Sequence, residues 1–203
     1  MSASGAIVTS DRAMIGQKTA EALAKAMNGQ GKVGYIFHDA NFPVTNQRDQ
    51  AFKWNIQNKF PGLKIVAESG MADPAKAEEI AMAMLARHPD IKGIYTPWAE
   101  PALGVLAALR QLGRTDVKVV TIDLNEPAAI DMVKGGSITA MVADQAYAIG
   151  VTAARAAALS LLAKKVDPFL VVGADIVAKE NIADGWRKSL HREPPQSILD
   201  ASK

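Results

Sequence analysis

Residues 117–127 read Val-Lys-Val-Val-Thr-Ile-Asp-Leu-Asn-Glu-Pro, a short apolar run that ends in an acid and leads into a helix start. Residues 117–122 are largely β-branched, which favours a strand, and their nearly continuous apolar character is typical of a strand covered on both faces. Pro127 suits the first turn of a helix, where a missing N–H costs nothing. A buried strand followed directly by a helix is half of a βαβ crossover, so this segment predicts a parallel sheet.

The same unit recurs along the chain. Strands are predicted at Ala6–Thr9, Lys32–Phe37, Leu63–Glu68, Gly93–Thr96, Val117–Ile122, Ile138–Val142 and Phe169–Val172. Helices are predicted near Arg12–Met27, Asn46–Phe60, Pro74–Arg87, Glu100–Leu112, Pro127–Lys134 and Tyr147–Lys164. Strands alternating with helices at this spacing predict an α/β fold with a parallel sheet in a three-layer αβα sandwich. The pattern stops after Ala178, so the remaining residues are predicted to be a surface tail.

The composition excludes several classes of function. The chain has 203 residues, 49% hydrophobic and 22% charged, as expected of one globular domain or two joined lobes. Its formal net charge of +2 lacks the electrostatic footprint of a nucleic-acid or anionic-membrane binder. It has no Cys and three scattered His, so neither a metal site nor a cysteine nucleophile is expected. We therefore predict no metal, no cofactor and no nucleic-acid partner.

Common catalytic motifs are also missing. No Gly-x-Gly-x-x-Gly follows the first strand and no Gly-x-x-x-x-Gly-Lys-Ser/Thr occurs, which disfavours dinucleotide binding and P-loop hydrolysis. There is no Gly-x-Ser-x-Gly elbow, and His38 has no evident Ser and acid partners for a hydrolase triad. We therefore assign no catalytic residue from these motifs.

The first residues and the most apolar segment bear on location. Residues 1–9 contain no basic region followed by a long apolar run, so no signal peptide is predicted in this chain. Residues 146–163 are apolar over nearly the length of a membrane span, but they are rich in Ala and carry Arg155 at the centre. A central Arg costs roughly 2.5–3.5 kcal/mol on insertion scales. A buried helix of a soluble fold is predicted instead.

Ligands of open parallel sheets bind beyond the carboxyl ends of the strands. The loops at these ends are rich in acids and amides, and they contain Ser10, Asp11, Asp39, Asp123 and Asp144. An ionised carboxylate accepts hydrogen bonds from two hydroxyls at once, which suits a sugar or polyol. The alternative for each Asp is to cap the helix that follows, and this alternative is strongest for Asp11.

Arg48 and Trp98 complete the candidate ligand-binding set. Arg48 is predicted to lie in the first turn of the second helix, where the helix dipole opposes a cation and a ligand role becomes more attractive. Arginine donates hydrogen bonds in a planar fork, and Trp98 in another strand-end loop offers a flat apolar face. A polyol needs both kinds of contact.

Six motifs follow one another along most of the chain. They are Ser10-Asp11 with Ile15-Gly16, Asn46-Gln47-Arg48-Asp49-Gln50-Ala51-Phe52, His88-Pro89-Asp90-Ile91, Glu100-Pro101-Ala102-Leu103-Gly104, Val119-Val120-Thr121-Ile122-Asp123, and Gly136-Ser137-Ile138-Thr139-Ala140 leading to Asp144-Gln145. In this order and spacing they resemble the type-I periplasmic sugar-binding proteins of ABC transporters, in the ribose-binding subgroup.

The resemblance implies sugar contacts from Arg48, Asp123 and Asp144, with Asp39 in another loop that faces the ligand. One departure concerns the loop before the Glu-x-Ala-Leu-Gly helix start. Where close relatives have Asn-Asp, this chain has Trp98-Ala99. The change removes two polar groups and adds an aromatic face, so the ligand need not be ribose.

The resemblance covers only the C-terminal two-thirds of the family. It implies that residues 11–143, completed by a returning strand within 169–178, form the C-terminal ligand-binding lobe. Residues 1–10 and 144–168 would be remnants of the N-terminal lobe, and residues 179–203 a C-terminal tail. Members of the family are periplasmic.

The helix predicted at Tyr147–Lys164 is apolar nearly all round, so it needs cover on more than one side. Large exposed apolar faces are unusual in soluble monomers. If the native sheet of this helix is missing, we expect the chain to form a homo-oligomer through residues 147–164, or to swap this helix with another copy.

These patterns together predict a sugar or polyol solute-binding protein, or a fragment of one, that holds its ligand in an interlobe cleft, delivers it to an ABC transporter permease and performs no chemistry. Closure of two lobes over a ligand needs contacts from both, so this chain alone is expected to bind sugar weakly or not at all. Two alternatives remain open: the effector-sensing core of a lac-repressor-type transcription regulator, and a small α/β sugar-processing enzyme that uses the strand-end Asp residues.

Overall fold

A computed structural model describes residues 5–202 of the chain, and expectations for residues 1–4 and Lys203 fall outside it. The strands are β1 (Ile7–Ser10), β2 (Gly31–His38), β3 (Leu63–Met71), β4 (Ile91–Tyr95), β5 (Lys118–Ile122), β6 (Ile138–Asp144), β7 (Phe169–Val172) and β8 (Ala174–Val177). The α-helices are α1 (Arg12–Ala26), α2 (Pro43–Lys59), α3 (Ala77–Arg87), α4 (Ala99–Gln111), α5 (Glu126–Val133), α6 (Ala146–Leu161), α7 (Ile182–Leu190) and α8 (Gln196–Ala201).

The main body is a six-stranded sheet in the order β3-β2-β4-β5-β6-β8. Its strands are parallel except β8, which runs antiparallel to β6. Helices α1 and α2 pack on one face, and α3, α4, α5, α7 and α8 pack on the other, so each face has its own apolar core. This arrangement confirms the predicted three-layer αβα sandwich.

The central strands are buried on both faces, as their apolar runs predict. All the described side chains of β5 except the half-buried Lys118 are buried, and in β4 only Lys92 is exposed. Such strands require helices on both sides, because an uncovered face would leave Val and Ile in water. The carboxyl ends of β2, β4, β5 and β6 therefore meet along one edge of the sandwich.

A second, two-stranded parallel sheet joins β1 to β7, with Ile7 opposite Phe169. The sequence assigned residues 169–172 to the large lobe, and this assignment is wrong. Strand β8, which begins two residues after β7, completes the six-stranded sheet instead. Gly173 alone separates the two strands, so the chain passes from one sheet to the other too abruptly for a sequence pattern to reveal.

The expected surface tail is helical in its described part, which corrects that prediction. Helix α7 packs against β8 and β6, and α8 packs against α5. Ile182, Trp186 and Ile198 are buried in the core on that face of the sheet. Gly185 lies so close to β8 that an added Cβ would stand 2.5 Å from Val177 Cγ2. Ile182 and Trp186 are four residues apart and therefore share one helix face, but the helix is too short to show a longer period.

Helix α6 is largely exposed, so the prediction of a buried helix at this position is also wrong. Ala156 is its only buried residue. The helix packs on β1, β7 and α7, away from the six-stranded sheet, and this small support covers little of its surface. Among the described residues, no helix is long and apolar enough to cross a membrane.

Candidate functional site

Arg48 lies at the centre of the candidate site. Helix α2 begins at Pro43, earlier than predicted, so Arg48 occupies its second turn and the argument from a first-turn position is wrong. The residue is nevertheless only 5% exposed. Its Nη2 lies 2.5 Å from Asp144 Oδ2, and its Nη1 lies 3.5 Å from Asp123 Oδ2. One buried guanidinium therefore bridges the carboxyl ends of β5 and β6.

Asp123 follows β5 in an uncommon backbone conformation. Its φ of 69° lies in the left-handed region, which costs energy for a residue with a side chain. Its N–H donates to the carbonyl of Val142 at 2.9 Å, which holds the turn in place. Partial burial raises the pKa of Asp123, and the neighbouring carboxylate of Asp144 also raises it, while Arg48 opposes both effects. Strained residues of this kind are frequent at ligand sites.

Two buried polar atoms of this group lack a hydrogen-bond partner within the described part of the chain. They are Arg48 Nε, a donor, and Asp144 Oδ1, an acceptor. Buried polar atoms are rarely left unpaired, because each loses its hydrogen bonds to water. A hydroxyl group both donates and accepts, so hydroxyls of a ligand could satisfy either atom.

Asp39 and Trp98 form a second group at the ends of β2 and β4. Asp39 is exposed, and Trp98 is half-buried just before α4. His38 stands against Trp98, with its ring edge-on at a centroid distance of 5.0 Å, and its Nδ1 lies 2.7 Å from Thr45 Oγ1. Asp39 also borders a cavity of about 290 Å³ beside α2. The aromatic face of Trp98 is thus partly engaged within the protein.

Ser10 and Asp11 lie at the end of β1, beside a different depression from Asp39. Asp11 Oδ1 accepts the N–H of Met14 at 2.8 Å, so Asp11 caps α1. Capping is the alternative that the sequence favoured most for this residue. Gln47 borders the same depression and accepts a hydrogen bond from Arg12 Nη1 at 3.1 Å. The structure thus distributes the seven predicted residues over three groups.

Sequence reasoning missed Asp49, which is 2% exposed directly beneath this region. Its carboxylate accepts the backbone N–H of His38 and the hydroxyl of Tyr95. Burial raises its pKa to about 6. One signal in the sequence could have found it: Asp49 lies three residues before Phe52 and four after Thr45, on the face of α2 that is buried.

The C-terminal segment supports the site from the other side, which the prediction of a tail concealed. The Ser189 hydroxyl donates to the backbone carbonyl of Asp144. The next residue, Gln145, donates to the carboxylate of Asp175, which Lys188 Nζ also contacts at 2.8 Å. Helix α7 and β8 therefore hold the junction between β6 and α6. Among the described residues, no cluster of three or more His, Asp or Glu side chains could hold a metal ion.

Residues 3–165 match the family described as "Periplasmic binding protein domain". The chain is 27% identical over 174 residues to the ribose import binding protein RbsB of Salmonella typhimurium, covering 85% of this chain and 58% of that protein. It is 37% identical over 145 residues to the D-ribose/D-allose-binding protein of Pseudomonas aeruginosa, covering 70% of this chain and 44% of that protein. The chain thus spans about half the length of these curated relatives.

Solved structures give the same result. An ABC transporter solute-binding protein from Agrobacterium vitis, bound with α-D-tagatopyranose, superimposes with a TM-score of 0.78 at 28% identity, over 86% of this chain and 59% of that one. A solute-binding protein from Bacillus halodurans with bound myo-inositol has a TM-score of 0.80 at 23% identity, over 90% and 63%. The second likeness, at this low identity, supports the fold alone.

Proposed function

Since this chain belongs to the periplasmic binding protein family, we propose that it is a sugar or polyol solute-binding protein of an ABC importer, or one lobe of such a protein. The observation that carries the proposal is the buried Arg48 between Asp123 and Asp144. This group offers an unpartnered donor and an unpartnered acceptor at the edge of the sheet where ligands of parallel sheets bind. Arg48, Asp123 and Asp144 would hold hydroxyls.

The relatives support binding rather than turnover. Their names describe import or binding of ribose and allose, and the titles of the solved structures name tagatose and myo-inositol as bound ligands. These molecules share a small ring and several hydroxyls. The two alternatives from the sequence, a repressor core and a sugar-processing enzyme, receive no support from these relatives, and we assign the chain no enzymatic activity.

We place the ligand in a cleft between two lobes. Residues 11–143 with β8 would form one side, and β1, β7 and α6 would belong to the other. In the described structure, the chain crosses between the two sheets after β1, after β6 and before β8. Most of the candidate residues lie on the large lobe. This chain alone is therefore expected to bind sugars more weakly than micromolar, because closure draws contacts from both sides.

Asp39, Trp98, Ser10 and Asp11 have secondary roles in this proposal. Asp39 is exposed at the same edge of the sheet and is free to accept hydroxyls. Trp98 would offer part of its ring to an apolar face of the sugar. Asp11 uses one oxygen as a helix cap, so Ser10 and Asp11 would line the rim of the cleft rather than its centre.

A titration with defined sugars tests the proposal. D-ribose, D-allose and myo-inositol would be added to the wild-type chain and to Arg48→Met, with binding followed by NMR line shifts that detect weak complexes. Arg87→Met, at an exposed position of α3, is the matched control. We expect weak binding of at least one sugar to the wild type and to the control, and none to Arg48→Met. Equal affinity of Arg48→Met and the wild type would contradict the assigned site.

The proposed partner is the permease of an ABC importer, and the proposed location is the periplasm, both because the family to which this chain belongs is one of periplasmic transport proteins. A second proposed partner is another copy of this chain. Seven of the ten exposed large hydrophobic side chains in the described part lie on β1, β7 and α6 or directly after α6: Ile7, Tyr147, Leu159, Leu161, Leu162, Phe169 and Val171. Apolar surface concentrated in this way favours association.

A further inference from the structure

We propose that Asp49 is a positioning residue for the ligand site. Its buried carboxylate ties α2 to the ends of β2 and β4, and so holds Arg48, Asp39 and Trp98 in one arrangement. This inference rests on the proposed function, because it assigns those three residues to ligand binding. It goes beyond that function by naming the group that fixes their relative positions.

Three contacts place Asp49 at this junction. Its Oδ2 accepts the backbone N–H of His38 at 2.8 Å, and its Oδ1 accepts the Tyr95 hydroxyl at 2.5 Å. The residue itself belongs to α2, directly after Arg48. A single side chain thereby joins three elements that are far apart in the sequence. Both oxygens are used, and neither bond goes to a neighbour on the same helix.

Each of the three elements continues into a candidate ligand residue. Arg48 precedes Asp49 on α2, Asp39 follows His38 at the end of β2, and Trp98 lies three residues after Tyr95. A shift of Asp49 would therefore move all three at once. Asp131, by comparison, accepts only the N–H of Ile138 at 2.9 Å, at the opposite end of the sheet. Asp131 has the same chemistry without the connection to the site.

The surroundings of Asp49 make its carboxylate both rigid and costly. The rings of Phe52 and Tyr95 stack at 4.0 Å between centroids, and Tyr35 stacks on both of them. Charged and buried polar groups hold their position in such a setting only through hydrogen bonds. The two donors that reach Asp49 supply these bonds, and Arg48 supplies a nearby positive charge.

Protonation should loosen the arrangement. Burial raises the pKa of Asp49 to about 6, while the bonds from Tyr95 and His38 and the charge of Arg48 oppose that rise. The other titratable groups around it are Tyr35 and the His38 imidazole on β2, Tyr95 on β4 and Glu68 on β3. The ionised carboxylate accepts both bonds strongly, whereas the protonated form has one weaker acceptor. The ties should therefore weaken as the pH falls below about 6.

Amide hydrogen exchange of the ¹⁵N-labelled full chain tests the proposal without any sugar. Exchange at His38 and in residues 39–42, together with the Arg48 Nε and Trp98 indole signals, would be followed from pH 7.5 to pH 5. The variants are Asp49→Asn, Tyr95→Phe and, as the matched control, Asp131→Asn. We expect exchange at His38 to rise about tenfold in Asp49→Asn at pH 7.5, as for the loss of one good hydrogen bond.

The pH profile separates positioning from general stability. After correction for intrinsic exchange, the wild type should show a step near pH 6 in the His38 exchange and in the Arg48 and Trp98 signals, and Asp49→Asn should lack it. Asp131→Asn should keep the step. A step that persists in Asp49→Asn would belong to the His38 imidazole and would overturn the proposal, as would equal effects of Asp49→Asn and Asp131→Asn.

Tyr95→Phe keeps the proposal testable if Asp49→Asn does not fold. It removes one bond to the carboxylate and leaves the ring in place, so the Trp98 and Arg48 signals should shift while the fold remains. Unchanged signals in Tyr95→Phe would count against Asp49. Because these measurements need no ligand, failure of the sugar titrations would overturn the proposed function and leave this result standing on its own.

Discussion

The pairing of Arg48 combines burial with incomplete satisfaction. A guanidinium that is 5% exposed must be compensated by nearby charge, since isolated buried charges are costly. Asp144 supplies the short contact and Asp123 the longer one. The remaining unpartnered atoms, Arg48 Nε and Asp144 Oδ1, keep capacity for a ligand. Stability and binding therefore draw on the same three side chains.

Removal of Asp144 should be costly for the fold. Asp144→Ala leaves Arg48 buried with only the more distant Asp123, so the free energy of unfolding should fall by about 2–3 kcal/mol, somewhat less than for a fully orphaned buried charge. Urea denaturation would measure the change. Asp116→Ala is the control, because Asp116 pairs with Arg114 near the surface and should cost less than about 1 kcal/mol. Equal losses in the two variants would contradict a buried, structurally required pair.

At the level of elements, α7 is the part of the chain whose role changed most. It packs its apolar face against the sheet through Ile182 and Trp186, and its Ser189 reaches the backbone of Asp144. The helix thereby connects the core to the turn that leads into α6. A short amphipathic helix near the end of a chain can thus support a binding site from behind.

A pair of tryptophans tests the packing of α7. Trp186 is 6% exposed in the core, whereas Trp54 is 55% exposed on α2. Trp186→Ala should lower the free energy of unfolding by about 3–5 kcal/mol, since it removes a large buried side chain. Trp54→Ala should cost less than about 1 kcal/mol, as expected of a surface change. Thermal or urea unfolding compares them directly, and similar losses would mean that α7 contributes little to the fold.

At the scale of the whole molecule, two units of very different completeness are joined. The six-stranded sheet is covered on both faces, whereas β1 and β7 form a two-stranded sheet with little more than α6 beside it. Two strands alone are marginally stable in water and need further packing. The exposed apolar side chains are concentrated on this smaller unit, which is the physical reason for expecting a second copy there.

The oligomeric state follows from this imbalance. Light scattering of the wild type at high concentration should give the mass of a dimer or larger assembly. The double variant Leu161→Glu with Leu162→Glu should be monomeric, because it places two charges on a face whose Leu161 is 88% exposed. Leu112→Glu, at an exposed position after α4, is the control and should remain associated. A monomeric wild type would contradict the proposal.

Much of the fold was predictable from local pattern. The apolar runs of β2, β4, β5 and β6 and the helix starts between them indicate a parallel sheet, because buried strands and amphipathic helices have different periods. The rule that ligands bind at the carboxyl ends of such strands then singled out Asp123, Asp144 and Asp39. Arg48 was also identified, although the argument from the helix dipole was wrong because α2 starts earlier.

The sequence by itself determined the layered α/β architecture and the acids at the strand ends, because both follow from the spacing of neighbouring residues. Only the tertiary structure decided that β7 joins β1, that α7 is buried, and that Arg48 contacts Asp123 and Asp144 while Asp49 joins three elements. These contacts unite residues up to 96 positions apart, as Arg48 and Asp144 are. Such pairings depend on how whole elements pack, and local periodicity carries no information about them.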